Sequence, residues 1–177
     1  MINRHNLAVW EFADKGSHRG LNNVRFTPTE TMATNGHYLV RVTNPPSDTI
    51  QTTERAFNIS AEALKPVKVK KGDAVELATN GTGSSWNLTT GVNTFHLEED
   101  STTFPNVDVI MPKDKPVVEI GFDPAYLAKL GKAFAAFADG DTSTCKISIY
   151  GPDKAAKFEA TNGQGQTMTA LLMPRRF

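Results

Sequence analysis

The sequence predicts an α+β fold of three half-units, each a helix followed by antiparallel strands, with the helices gathered on one face of the sheets. Three observations point there. The string Ala-Thr-Asn-Gly occurs three times, at 33–36, 78–81 and 160–163. Asn-Gly between apolar-alternating runs is the strongest short-range hairpin signal, because both turn residues tolerate positive φ. The order strand, helix, three strands occurs twice in full, beginning at Arg55 and at Val117, and an earlier pass has the helix and strands without the opening strand. Finally, Asp123-Pro124 is a strong helix start, followed by Leu127, Leu130, Phe134 and Phe137 at helical spacing.

Taken in order, residues 6–15 read as a short helix stopped at Gly16. Asn23 to Thr27 is a strand with Val24 and Phe26 on one side. Glu30 to Ala33 and His37 to Val42 form a hairpin around Asn35-Gly36. The stretch from Thr43 to Thr53 holds Pro45-Pro46 and reads as a loop. A second pass opens with a strand from Arg55 to Ile59. Ser60 is placed to cap a helix with Glu62 in its first turn, and Pro66 makes that helix short or kinked. Strands from Ala74 to Thr79, Ser84 to Thr89 and Asn93 to Glu98 follow, turning at 80–83 and at Thr90-Gly91. Thr102 to Pro112 is an extended, proline-bounded connector. The third pass runs from a strand at Val117 to Phe122, through the helix ended by Asp139-Gly140, to strands at Cys145 to Tyr150, Lys157 to Ala160 and Thr167 to Met173. The last two are joined by Asn162-Gly163.

The chain has 177 residues, enough for one large domain or a domain and a half, with an ordinary 39% hydrophobic and 21% charged composition. Net charge is zero. A protein holding nucleic acid with its whole surface would be basic, so any such contact must come from a local face. Cys145 is the single cysteine, so there is no internal disulfide framework. The N-terminus is polar and no run approaches a membrane span, which predicts a soluble, cytoplasmic protein with no membrane partner.

Catalytic chemistry is not legible. His5, His18, His37 and His96 are scattered, with no partner at metal-ligand spacing. Asp139-Gly140-Asp141 begins like a calcium loop, but Tyr150 stands where the closing acid belongs. Gly81-Thr-Gly83 and Gly163-Gln-Gly165 fall in hairpins rather than between a strand and a helix, and no nucleophile elbow is present. Cys145 reads as a core residue. The expectation is a non-enzyme with no cofactor and no metal.

Binding residues are easier to find. On the last helix Ala125, Lys129, Lys132 and Ala136 lie opposite the Leu/Phe stripe, a smooth basic face. The second segment adds Lys65, Lys68, Lys70 and Lys71, and the first adds Arg4, Lys15 and Arg19. Helices set side by side would merge these into one surface suited to phosphates without sequence readout.

Four pieces of the chain, in order, resemble the bacterial DNA polymerase III sliding clamp, the β subunit. Ala33-Thr-Asn-Gly-His-Tyr-Leu39 is similar to that family's Ala-Thr-Asp-Gly-His-Arg-Leu hairpin. Phe104-Pro-Asn-Val-Asp-Val-Ile-Met-Pro112 resembles its Phe-Pro-Asp-Tyr connector. Glu119-Ile-Gly-Phe-Asp-Pro-Ala-Tyr-Leu127 resembles the Glu-Ile-Gly-Phe-Asn start of its last domain. Leu171-Leu-Met-Pro-Arg-Arg-Phe177 resembles its Met-Pro-Met-Arg-Leu end. Asn35 departs from the family's acid, and Arg175 and Phe177 from its Met and Leu.

The resemblance implies a DNA-clamp fold with a deletion. Residues 1–112 correspond to one complete clamp domain of two half-units, ending in the connector 102–112, and 113–177 to half of another. Family rings contain twelve half-units, so three per chain implies a homotetramer encircling duplex DNA, with the basic residues Arg4, Lys15, Lys65, Lys68, Lys70, Lys71, Lys129 and Lys132 facing it. The family's peptide pocket, through which polymerases attach, maps onto Thr34, Gly36, His37, Leu39, Pro105, Ile110, Leu171 and Met173. The implied function is a processivity factor tethering a polymerase or another protein with a clamp-binding motif, with a clamp loader as a further implied partner. The alternative is a clamp-related module without a ring that captures such peptides or competes with the host clamp.

Overall fold

The computed structural model describes residues 2–16, 20–45, 55–80, 83–138 and 144–176. Arg19, Gly81, the helix end at Asp139-Gly140 and the residue at 177 lie outside these, as does most of the 43–53 loop. The chain divides into two compact units, Met1–Met111 and Pro112–Phe177.

The first unit starts with helix α1 (Arg4–Ala8), which tightens into a 3-10 turn over Val9–Phe12. The helix expected over 6–15 therefore begins earlier and ends sooner. The cause is an asparagine capping box the sequence reading passed over. The Asn3 carboxamide accepts from the His5 and Asn6 amides at 2.8 and 3.3 Å, and Asn6 Oδ1 accepts from the Asn3 amide at 3.0 Å. Strands β1 (Asn23–Phe26), β2 (Glu30–Thr34), β3 (Leu39–Thr43) and β4 (Phe57–Ser60) form one antiparallel sheet in the order β3-β2-β1-β4. Helix α2 (Ala61–Leu64) follows, then a second sheet, β5-β6-β7, of Val75–Thr79, Ser85–Thr90 and Asn93–Glu98. Ser60 stands at the N-cap of α2 but makes no side-chain capping bond.

The opening strand of the second half-unit, β4, thus joins the sheet of the first. Its partner is β1, with Val24 opposite Ile59 and Phe26 opposite Phe57. This exchange fuses the half-units around one core of Val24, Phe26, Phe57, Ile59, Trp86 and Leu88, covered by Leu7, Val9, Ala61 and Leu64 from the helical segments. Phe57 stacks on Phe26 at 5.2 Å and on Trp86 at 3.8 Å, tying the two sheets together. The Trp86 indole N–H donates to Glu99 at 2.8 Å, so the large ring is buried without an orphaned donor.

In the second unit, helix α3 (Pro124–Phe137) covers one face of the sheet β10-β9-β8, made of Thr167–Leu172, Ala156–Thr161 and Lys146–Ser148. The Asp123 carboxylate accepts from the Ala125 amide at 2.9 Å, the cap the sequence predicts. Phe134, Ala156, Phe158, Ala160 and Leu172 form the core, with Phe122, Leu130 and Cys145 packed against it. Leu127, expected in the apolar stripe, is 39% exposed. The strand expected from Val117 to Phe122 does not form; the stretch makes only an isolated bridge, Gly121 to Arg175.

The three Ala-Thr-Asn-Gly strings each end a strand, but not the same one. The first and third follow the middle strands β2 and β9, whereas the second follows β5, the first strand of its sheet. The turns are also longer than an Asn-Gly pair. Thr34 pairs with Leu39 and Thr161 with Thr167, leaving four- and five-residue loops. Gly36 has φ 89°, and in the third loop it is Gly165, not Gly163, that has φ 79°.

Candidate nucleic-acid and peptide interfaces

On α3, Lys129 and Lys132 are exposed, on the side away from Leu130 and Phe134. No ion pair engages either lysine among the described residues. Ala125 and Ala136 flank them, and the space over Gly131 is open. The expected basic helix face is present here.

The other basic residues are arranged differently. Pro66 ends α2, and Lys68, Lys70 and Lys71 lie on the non-helical stretch before β5. There Val67 and Val69 turn toward the core while Lys68 and Lys70 point out. Asp73 fixes that turn, accepting from the Lys70 amide at 2.9 Å. Three separate basic helices are therefore not what this chain has. The first two half-units nonetheless meet. Arg4, His5, Val67 and Lys68 share one cleft of about 310 Å³, and Lys15 and Lys65 line another of about 530 Å³. The larger cleft also carries Glu11, Asp14 and Glu62, and Lys65 pairs with Glu62 at 3.4 Å. Its carboxylates outnumber its cations.

The residues matched to the peptide pocket fall on both units. In the first unit, Thr34 is buried at the end of β2. Its hydroxyl donates to the Tyr38 carbonyl at 2.7 Å and accepts from the Gly36 amide at 3.1 Å, while Asn35 Oδ1 accepts from the His37 and Tyr38 amides. Thr34 and Gly36 therefore shape the loop, and His37 is exposed on it. Leu39 packs against a small cluster of Met32, Phe104 and Val107, which brings the connector onto the hairpin. Arg25 lies 5.9 Å over the Phe104 ring, and Asn58 donates to the Thr102 carbonyl at 2.7 Å, so the connector is held from both sides. Pro105 lines an adjoining cleft of about 380 Å³ with Arg25, Met32 and Asp108. Ile110, beyond it, is 66% exposed.

Arg41 grips Glu30 through both Nε and Nη2 and lies 3.5 Å from Asp108. The hydrogen bonds and charge of Glu30 raise the Arg41 pKa above its ordinary value, so this fork is a fixed cation at the connector's edge. The signal for it in the sequence is the opposite charge of Glu30 and Arg41, near-neighbours across the β2–β3 hairpin. In the second unit, Leu171 and Met173 are 67% and 63% exposed. Leu171 lies on the face of β10 away from Ala170 and Leu172, and Met173 follows directly after the strand. This exposed aliphatic pair is unexplained by this unit's own core.

The fold these elements make is that of the DNA polymerase sliding clamps. The Bacillus subtilis sliding clamp aligns with a TM-score of 0.74 at 13% identity, covering 97% of this chain and 46% of that one. A Pseudomonas aeruginosa sliding clamp gives 0.72 at 14%, covering 99% and 50%. The DNA polymerase beta subunit of Streptococcus pyogenes gives 0.72 at 12%, covering 97% and 47%. The chain spans about half the length of the solved structures it matches. No family model and no curated protein matches the sequence. No helix among the described residues is long and apolar enough to cross a membrane.

Proposed function

We propose that this chain is a sliding-clamp-like processivity factor, with residues 1–112 acting as a complete clamp domain and 113–177 as half of one. Four chains supply twelve half-units and close a ring around duplex DNA. Retention is topological, with weak phosphate contacts from Lys129, Lys132, Arg4 and Lys68 and no sequence readout. The ring tethers a polymerase or another partner by capturing short apolar peptides, on the first unit at Leu39, Pro105 and Ile110, shaped by Thr34, Gly36 and His37, and on the second at Leu171 and Met173. A clamp loader is a further expected partner, and no catalysis is assigned. The observation that carries the reading is the clamp fold along nearly the whole chain, with an open lysine-bearing face on α3.

Retention on DNA tests it. Protein loaded on nicked circular DNA should stay through high salt and be lost when the circle is linearised. Equal loss from circles and linear DNA would sink the ring. A second reading, a peptide-capturing module without a ring, is favoured by the excess of carboxylates in the cleft holding Lys15 and Lys65. It binds clamp-motif peptides, competes with a host clamp and leaves DNA free.

A further inference from the structure

The first unit shows how two half-units join, and the second unit carries both halves of the same joint with neither used. In the joint, β4 lies along the edge of β1, and Val24 and Phe26 are 0% and 2% exposed beneath it. The third half-unit has the equivalent edge in β8. Aligning Ala33-Thr34-Asn35 with Ala160-Thr161-Asn162 matches the pair Phe26–Thr31 to Ile147–Phe158. No strand covers β8 on its far side among the described residues, and Ile147 and Ile149 are 54% and 47% exposed.

The third half-unit also has the equivalent of β4. Counting back from the helix caps Ser60 and Asp123, Phe57 and Ile59 correspond to Ile120 and Phe122, and Val118 extends the alternation. Both segments touch the exit of their own last strand, through the bridges Ile59–Glu99 and Gly121–Arg175. That bridge holds residues 117–122 at the β10 end of the sheet, two strands away from β8. Neighbouring strands lie about 4.8 Å apart, so the segment cannot also pair with its own chain's β8.

We infer that the 117–122 segment of one chain pairs with β8 of a second copy, and reciprocally, so that two third half-units complete one clamp domain across a two-fold axis. The β1–β4 register places Cys145 opposite Phe122 of the second copy, Ile147 opposite Ile120, and Ile149 opposite Val118. All three pairs are apolar and face the core side. On the outer side, Lys146 stands opposite Gly121, the place of Asn58 in the first unit, where Arg25 donates to it at 3.3 Å, and lies diagonal to Glu119 of opposite charge. Reciprocal pairing is self-complementary, as a two-fold interface requires, and removes an open sheet edge. The pairing deepens the ring reading by naming one of its joints.

Cysteine cross-linking without DNA tests it. Opposed residues across a strand pair bring their Cβ atoms within disulfide reach. In a C145S background, I120C/I147C should oxidise to a two-chain species on a non-reducing gel. I120C/K146C, whose side chains leave opposite faces, should not. An intrachain disulfide, no disulfide, or equal cross-linking of both variants overturns the pairing. As a second measurement in the otherwise natural chain, I147E should at least halve the solution mass with an unchanged far-UV spectrum; an unchanged mass overturns it too. A specific cross-link without retention on circular DNA keeps the joint and removes the ring, whereas retention without the cross-link does the reverse.

Discussion

Asn6 shows what a single residue does in this chain. Beyond its capping role, its buried Nδ2 lies 3.1–3.3 Å from Asn44 Oδ1, the Val42 carbonyl and Thr31 Oγ1, tying α1 to β2 and the end of β3. Asn6→Ala should cost about 1–3 kcal/mol in a denaturant titration, because buried acceptors lose their donor. Gly20 and Gly36 both have positive φ, but they differ in surroundings. A Cβ on Gly36 would meet Leu21 at an ordinary 3.8 Å, while one on Gly20 would lie 2.5 Å from the Thr103 carbonyl oxygen. Gly36→Ala should therefore lose only the conformational term, about 1 kcal/mol, and Gly20→Ala clearly more, since the connector must move. Asp100 accepts from the Thr102 hydroxyl and amide, and these bonds hold its pKa below the ordinary carboxylate value. A depressed pKa stabilises the fold fully above the unfolded value and is lost as pH falls through the folded one. The acid limb of stability should accordingly flatten in D100N, measured as denaturation midpoint against pH. Gly36 was legible as a turn residue, and the Asp100–Thr102 contact is local. Asn6 and Gly20 were not legible, because what they meet, Thr31, Val42, Asn44 and Thr103, is distant in sequence.

Among the elements, α3 was the most readable, since its cap, its proline and its apolar spacing are all local. Asp123 caps the helix and also pairs with Arg175 at 2.8 Å, a largely solvated contact. Asp123→Ala should cost about 1 kcal/mol, nearly all of it from the cap. Charge reversal at Lys129 and Lys132 should leave the melting temperature within a degree or two while weakening retention on DNA; equal retention would remove these lysines from the interface. The hairpins were legible as turns, but their loop lengths were not, because side-chain bonds from Thr34, Asn35 and Asn162 set them. The stretch from Val117 to Phe122 has the alternation of a strand, and alternation alone cannot say which sheet a strand will join. The residues matched to a peptide pocket stand out only by resemblance, since an exposed Leu171 in a strand looks like any core leucine until its face is known.

For the whole molecule, the recurrence of half-units was correctly visible in the sequence, although the second Ala-Thr-Asn-Gly string sits in a different turn from the other two. What the sequence hid was the exchange of β4 between half-units, which turns a repeat into a shared core. Light scattering after size exclusion should give a mass of four chains, stable on dilution. A stable monomer would exclude the closed ring as a free state and favour peptide capture alone. A trimer would be incompatible with both the twelve half-units and a reciprocal two-chain joint.

Both tryptophans, Trp10 and the stacked Trp86, belong to the first unit, and the second has none. Intrinsic indole emission is therefore a private optical channel for one unit, while circular dichroism sees both. Overlaying the two melting curves will report, without any label, whether the half-domain lives or dies with its larger neighbour.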